Sequence, residues 1–334
     1  MIRLLNKLLH LNLRFFYPII ILVFLIEIFF QIIFLFDIKS LKKTILFFNP
    51  FCDQVYWNYE GNSSYDKNYY TYHPFLTIIK KDNEKYFYKD NSQNLASQKN
   101  KLVFYGSSFI DHEYFKKNNT NNINFAIKSY GIDQIYKSYM MTKENFPNKD
   151  IIIGFLLEDI DRAIFTQRNF PKLKYKEING KYEITNVPIL FKDDFEKNLS
   201  FYTFKFLKNL IFLSLNNYNY NYHECEIKNK KLLFEYFVDD IIKNSIILNQ
   251  NILFVTFNFR NNIDDPNWRY SYVNEYFLSK NLNHLDTTKV IKDDLLNNKK
   301  LSVIDYYNQK DFHLNAYGFD LISKNIKLFI EQYK

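Results

Sequence analysis

Serine, histidine and aspartate stand in this chain where short apolar runs end, the places from which loops present reactive groups. Residues 102–111, LVFYGSSFID, pass from apolar residues through Gly106 into Ser107 and Ser108. A glycine lets the backbone turn sharply and leaves the next N–H groups unengaged. A serine hydroxyl there stands beside backbone donors, as an acyl-transfer nucleophile needs. Gly-Ser turns after strands are common, and the stretch alone selects neither serine.

Three further blocks have the same character. NFAIKSYGIDQ (124–134) reads as strand, turn and helix. Gly131 is one of six glycines in 334 residues, so its turn has a backbone need, and the N–H groups of the next helix can stabilise an oxyanion. The plainer reading is the ordinary start of a helix. Glu158-Asp159-Ile160-Asp161-Arg162 follows the apolar run 150–157. Acids there can orient a base or substrate, or simply pair with Arg162. Asp311-Phe312-His313-Leu314-Asn315 precedes the final amphipathic segment. An acid near a histidine fixes its tautomer and stabilises the imidazolium, which suits a general base. The histidines are His10, His73, His112, His223, His284 and His313. Only His313 combines a nearby acid, a late helix start and a following glycine, Gly318. His112, close to Ser108, is its rival.

These blocks need a frame that brings them together. Strands are expected at 101–106, 123–126, 150–157, 251–257 and 301–305, with an edge strand within 69–81. Helices are expected at 132–146, 192–216, 226–249 and 315–333. Residues 173–188 alternate around Asn179-Gly180, a hairpin signal. Alternating strands and helices predict an α/β fold with a mainly parallel sheet. In such sheets ligands bind beyond the carboxyl ends of the strands, where the blocks lie.

Residues 15–36, FFYPIIILVFLIEIFFQIIFLF, are 22 residues with one charge, Glu27. That length spans a bilayer as a helix and exceeds the apolar part of a secretory signal. Glu27 could mark a helix partner in the membrane or be a tolerated, protonated carboxyl. Arg3, Lys7 and Arg14 precede the span and Lys39, Lys42 and Lys43 follow it, so charge leaves the orientation open. The expected division is a terminal segment 1–14, a transmembrane helix 15–36, a linker and N-terminal extension 37–100, and a catalytic domain 101–334 with a hairpin insertion near 172–188.

The net charge of +8 reflects lysine scattered through a chain rich in Phe (35) and Tyr (28), without a basic stripe, so no nucleic-acid partner is expected. Cys52 and Cys225 sit in no metal spacing, and neither metal nor cofactor is expected. The two cysteines can pair outside the cytoplasm or remain thiols.

In order and spacing, the four blocks resemble the SGNH/GDSL hydrolase family. More closely, the chain is similar to a bacterial branch with an N-terminal membrane helix. That branch has a block like N-F-G-x-x-G-Y-G-x-D-Q, here NFAIKSYGIDQ. DIIIGFLLEDIDR matches its D-x-V-I-I-G-F-x-x-x-D-x-x-R strand, FPKLKYKEINGKYEITNVPI its hairpin, and DFHLNAYG its D-x-H-L-N-x-x-G ending. The resemblance covers residues 70–330 or so. It implies a three-layer α/β/α sandwich with Ser108 as nucleophile, His313 as general base and Asp311 as its orienting acid. The oxyanion hole would draw on Ser108, Ser129, Gly131 and Glu158. Ser107, Ser129 and Glu158 depart from the family's aspartate, glycine and asparagine. A carboxylate in the place of an amide donor would repel an oxyanion, and losing one such donor costs about 10²–10³ in rate. The implied function is a serine acyl esterase or O-acyltransferase acting outside the cytoplasm on acyl esters of surface glycans. The alternative is a non-catalytic binding or assembly subunit on the same fold. Oligomeric state is left open.

Overall fold

The computed structural model describes residues 2–36, 66, 68–88, 102–111, 122–165, 172–185, 187–189, 203, 207, 211, 226–310 and 312–332. Most of the expected helix 192–216, together with Cys52, Cys225, His112 and Asp311, lies outside them. Two units make up the chain, one from residues 1–63 and 192–225, the other from 64–191 and 226–334. Residues 70–88, assigned from sequence to the extension, lie in the second unit.

In the first unit, helix α1 runs Ile2–Leu35. Its stretch Phe16–Ile33, with mean hydropathy 2.5, is long and apolar enough to cross a membrane. The Glu27 carboxylate accepts a hydrogen bond from Gln31 Nε2 at 2.6 Å and another from the backbone N–H of Thr203 at 2.8 Å. The one charge of the apolar run is therefore bonded to a distant segment.

The second unit is built on a five-stranded parallel sheet. Strands β1 (Tyr70–His73) and β2 (Thr77–Lys80) form a separate antiparallel hairpin. The sheet comprises β3 (Val103–Gly106), β4 (Ile123–Asn124), β5 (Asp150–Leu156), β8 (Asn251–Phe257) and β9 (His284–Asp286), in the order β4-β3-β5-β8-β9. Between them β6 (Tyr175–Ile178) and β7 (Lys181–Ile184) form the expected hairpin. Asn179 and Gly180 both have positive φ, 52° and 75°, as a two-residue type I′ turn requires.

β5 and β8 are near-continuous Ile, Leu, Val and Phe because a central parallel strand is buried on both faces. Successive side chains then pack on opposite helical layers. On one face Tyr105 meets Tyr139 of α2 (Ile132–Thr142), ring centroids 5.6 Å apart. There too Phe155 meets Phe234 of α3 (Ile227–Ile247) at 5.9 Å, and Phe254 meets Phe277 of α4 (Trp268–Ser279) at 4.9 Å. On the other face Phe104, Ile152, Leu253, Val255 and Phe257 share a core with Ile291 of α5 (Thr287–Asn297) and with Phe319, Ile322 and Ile326 of α6 (Ala316–Gln332). The three-layer α/β/α arrangement with a parallel sheet is as expected.

One expected strand is not there. Residues 301–305 lead into a 3-10 helix, Val303–Tyr306, and the edge strand is β9. The Ser302 backbone N–H and hydroxyl both donate to Asp305 Oδ2, at 2.8 and 2.9 Å, which turns the chain. Ile304 is left exposed while Tyr306 is buried.

Candidate active site

The turn that carries Ser107 and Ser108 is shaped by two glycines paired across the sheet, Gly106 on β3 and Gly154 on β5. A Cβ on Gly106 would lie 2.3 Å from the Gly154 carbonyl oxygen, and one on Gly154 would lie 2.3 Å from Ile110 Cγ1. Two bare backbones let residues 107–110 fold down onto the strand ends and seat Ile110 in the core. The Ser107 N–H donates to the Gly154 carbonyl at 3.3 Å, and the N–H groups of Ile110 and Asp111 donate to the Ser107 carbonyl at 3.1 and 3.0 Å. That winding buries Ser107 completely and leaves Ser108 half-exposed. The Ser108 backbone N–H has no acceptor among the described residues, so it can donate to an oxyanion.

His313 arrives from far along the chain. Its Nε2 lies 2.9 Å from Ser108 Oγ, within hydrogen-bond reach. The Phe109 ring packs beside the imidazole, centroids 4.8 Å apart. The His313 carbonyl accepts the Asn308 N–H at 2.7 Å, and Asn315 Oδ1 accepts the Gly318 N–H at 3.0 Å at the start of α6. Gly318 is needed for closeness, since a Cβ there would lie 2.5 Å from the Tyr306 carbonyl oxygen.

Two other histidines take structural places. His73 Nδ1 accepts the N–H groups of Phe75 and Leu76, both at 3.2 Å. Burial, aided by Lys137, lowers its pKa to about 4. His284 Nε2 bonds Thr256 Oγ1 at 2.8 Å, and burial lowers its pKa to about 4. Both stay neutral near pH 7 as parts of the packing.

The second block turns at Ser129, whose φ is 72°, the left-handed region that favours glycine. Gly131 is a different case. Its backbone is extended, φ −89° and ψ 169°, and its requirement is space. A Cβ there would lie 2.5 Å from Asp133 Oδ1 and 2.7 Å from Arg162 Cβ. The Gly131 N–H points to Gln134 Oε1 at 3.4 Å, capping α2.

The third block winds as a 3-10 helix, Leu157–Ile164, with Glu158 half-buried and Asp159 and Asp161 buried. One of its charge pairs is internal. Asp159 Oδ2 accepts the Leu156 N–H at 2.9 Å while Oδ1 pairs with Arg162. Arg162 Nη1 donates to the Tyr130 carbonyl at 3.1 Å. Lys172 Nζ donates to Asp133 Oδ1 at 2.8 Å and also to the Arg162 carbonyl. These bonds clamp the turn carrying Ser129 against the turn carrying Glu158. Asp161 is held by Arg269 Nε at 3.1 Å and Lys230 Nζ at 3.0 Å. Burial raises the Asp133 and Asp159 pKa values and lowers that of Lys172, while the partners oppose each shift. The plain charge-pair reading of Asp159–Arg162 is the one observed. Lys172, Lys230 and Arg269 have no local signal, because their carboxylate partners lie 39 or more residues away. Among the described residues no cluster of three or more His, Cys, Asp or Glu could hold a metal.

No family model matches the chain. No curated protein matches it either. Among solved structures it is similar to a GDSL-like lipase from Bacteroides thetaiotaomicron, at 13% identity and TM-score 0.39, covering 73% of this chain and 93% of that one. It is also similar to an acetyl xylan esterase, at 13% identity and TM-score 0.38, covering 68% and 98%. At these values the likeness says nothing about activity, which is argued below from the geometry.

Proposed function

We propose that this chain is a serine acyl esterase or O-acyltransferase of SGNH type, held at a membrane by α1. The observation that carries the reading is the 2.9 Å contact between His313 Nε2 and Ser108 Oγ at the carboxyl end of β3. In this reading Ser108 Oγ attacks the ester carbonyl carbon and its proton passes to His313 Nε2. The carbonyl π electrons move onto oxygen, where the Ser108 N–H meets them. As the C=O re-forms, the C–O bond to the alcohol breaks, and His313 returns the proton to the departing alkoxide. Water or a second alcohol then attacks the acyl-enzyme carbonyl carbon, giving its proton to His313; the bond from that carbon to Ser108 Oγ breaks, and His313 returns the proton to Oγ. Asp311, two residues from His313, is assigned to orient the imidazole and stabilise its charged form. Ser129 stands where a second oxyanion donor is expected. Acyl esters of surface glycans are the substrate class, with the domain outside the cytoplasm; the apolar span of α1 and the block resemblance support this assignment.

The alternative, a non-catalytic binding or assembly subunit, draws on Glu158, an acid where the family pattern has an amide donor. A fluorophosphonate probe separates the two. Labelling that is lost in Ser108→Ala and in His313→Ala supports the enzyme. Labelling unchanged in Ser108→Ala, or absent from the parent chain, refutes it.

A further inference from the structure

The His313 side of the site carries two residues that the acyl-transfer scheme leaves unused. Phe312, next to the base, has φ 59° and a ring that is 40% exposed. Placing an aromatic residue in the left-handed region costs about 1–2 kcal/mol, and such strain persists where surroundings or function impose it. An exposed ring gains little from burial in return. Over that ring sits the Arg260 guanidinium, 5.1 Å from its centroid. Arg260 opens the 3-10 turn Arg260–Asn262, three residues past the end of β8. It is half-buried and has no carboxylate within ion-pair distance among the described residues. Its neighbour Phe259 and the base both flank Phe109, at centroid distances of 6.2 and 4.8 Å. The cation and the exposed ring therefore share the base's side of the nucleophile.

That side has a chemical meaning. His313 hands its proton to the departing alkoxide, so the alcohol half of the ester lies against it. We propose that Arg260, seated on Phe312, forms a subsite for an oxyanion group on the alcohol half of the substrate. A guanidinium binds carboxylate or phosphate through two parallel N–H donors, and stacking on an aromatic face holds its plane without consuming those donors. The substrate class narrows to acyl esters of an acidic alcohol, such as a glycan unit bearing a carboxylate or a phosphate. This inference rests on the acyl-transfer reading.

Three acetate esters with related leaving groups test it: neutral phenyl acetate, 4-acetoxybenzoate and 4-acetoxyphenyl phosphate. In Arg260→Ala the loss of kcat/KM for one or both anionic esters should exceed the loss for phenyl acetate by tenfold or more, chiefly through KM. Arg260→Lys should recover part of it. The discrimination should weaken between 0.05 and 0.5 M salt. Which anionic ester is favoured tells carboxylate from phosphate. Equal losses for neutral and anionic esters overturn the subsite. A parent chain that cleaves none of the three counts against the acyl-transfer reading. In that case calorimetric binding of 4-hydroxybenzoate and 4-hydroxyphenyl phosphate to the Ser108→Ala chain decides the subsite. Binding of either that weakens tenfold with Arg260→Ala upholds it, and binding of neither, or binding indifferent to Arg260, overturns it.

Discussion

Lys172→Met removes one cation from beneath the site, and its cost can be worked out. Lys172 is buried, and its ammonium donates to Asp133 Oδ1 at 2.8 Å and to the Arg162 carbonyl. Asp133 is wholly buried, and its Oδ2 has no hydrogen-bond partner. Methionine fills most of the vacated volume, so the loss is electrostatic. Removing one partner of a buried pair costs about 3–5 kcal/mol, a large share of the roughly 5–15 kcal/mol that holds a domain folded. The pH dependence identifies the cause. Burial raises the Asp133 pKa and Lys172 is the main group opposing it. Without Lys172 the folded variant keeps Asp133 protonated at pH values where the unfolded chain has released that proton. The folded state then binds more protons, so the variant loses stability as pH rises. Its deficit against the parent should be largest near pH 7 and shrink on acidification, by up to about 1.4 kcal/mol per unit above the ordinary aspartate range. Urea unfolding followed by circular dichroism, near pH 7 and near pH 5, measures this directly. Contributions common to both chains cancel in the difference. Asp133→Asn combined with Lys172→Met should regain most of the loss. A deficit below about 1 kcal/mol near pH 7, against the 3–5 expected, or one that grows on acidification, refutes the reasoning.

Other outcomes follow from named contacts. Ser129→Gly should stabilise the fold by about 0.5–1 kcal/mol, because glycine relieves the positive φ at some entropic cost. It keeps the N–H, so kcat/KM should stay within about threefold if that donor serves the oxyanion; a less stable variant contradicts the strain. Gly106→Ala should cost about 3 kcal/mol or more because its Cβ meets backbone. Gly180→Ala, at φ 75° with open space around it, should cost only about 1–2 kcal/mol; similar melting temperatures for the two variants would contradict this. His284, neutral down to about pH 4 when folded, takes a proton from pH 6.5 downward only when unfolded. Stability therefore falls as pH drops through that window, and His284→Gln should make the decline shallower. An unchanged slope in chemical unfolding would show that His284 is not a source of it.

Local signals were legible in sequence and distant ones were not. The apolar runs at 103–106, 150–156 and 251–257 announced buried parallel strands. Asn179-Gly180 announced its hairpin through a backbone requirement that few residue types meet. Ser108 and His313 could be singled out because each follows a turn with its own local logic, yet only the fold puts them in contact. β9 has just three residues, too few to carry a periodic pattern in the sequence. LSVID looks like a strand by composition, but the Ser302–Asp305 bonds close it into a turn. Gly131 is required, but for space beside Asp133 and Arg162 and not for freedom of φ. Lys172, Lys230 and Arg269 looked like any other lysine or arginine in a basic chain. Their partners are set by tertiary structure alone.

The Ser108–His313 contact joins positions 205 residues apart. Between them the chain must complete β4, β5, β8 and β9 and pass through residues 192–225, which belong to the other unit. Contacts of such sequence separation form slowly, because loop closure precedes any gain from them. In the acyl-transfer reading proposed above, chemical reactivity at Ser108 is then a clock for folding. In a refolding chain, sheet content can return while the serine is still an ordinary alcohol. In that reading the moment at which it becomes reactive marks the arrival of His313 at the end of β3.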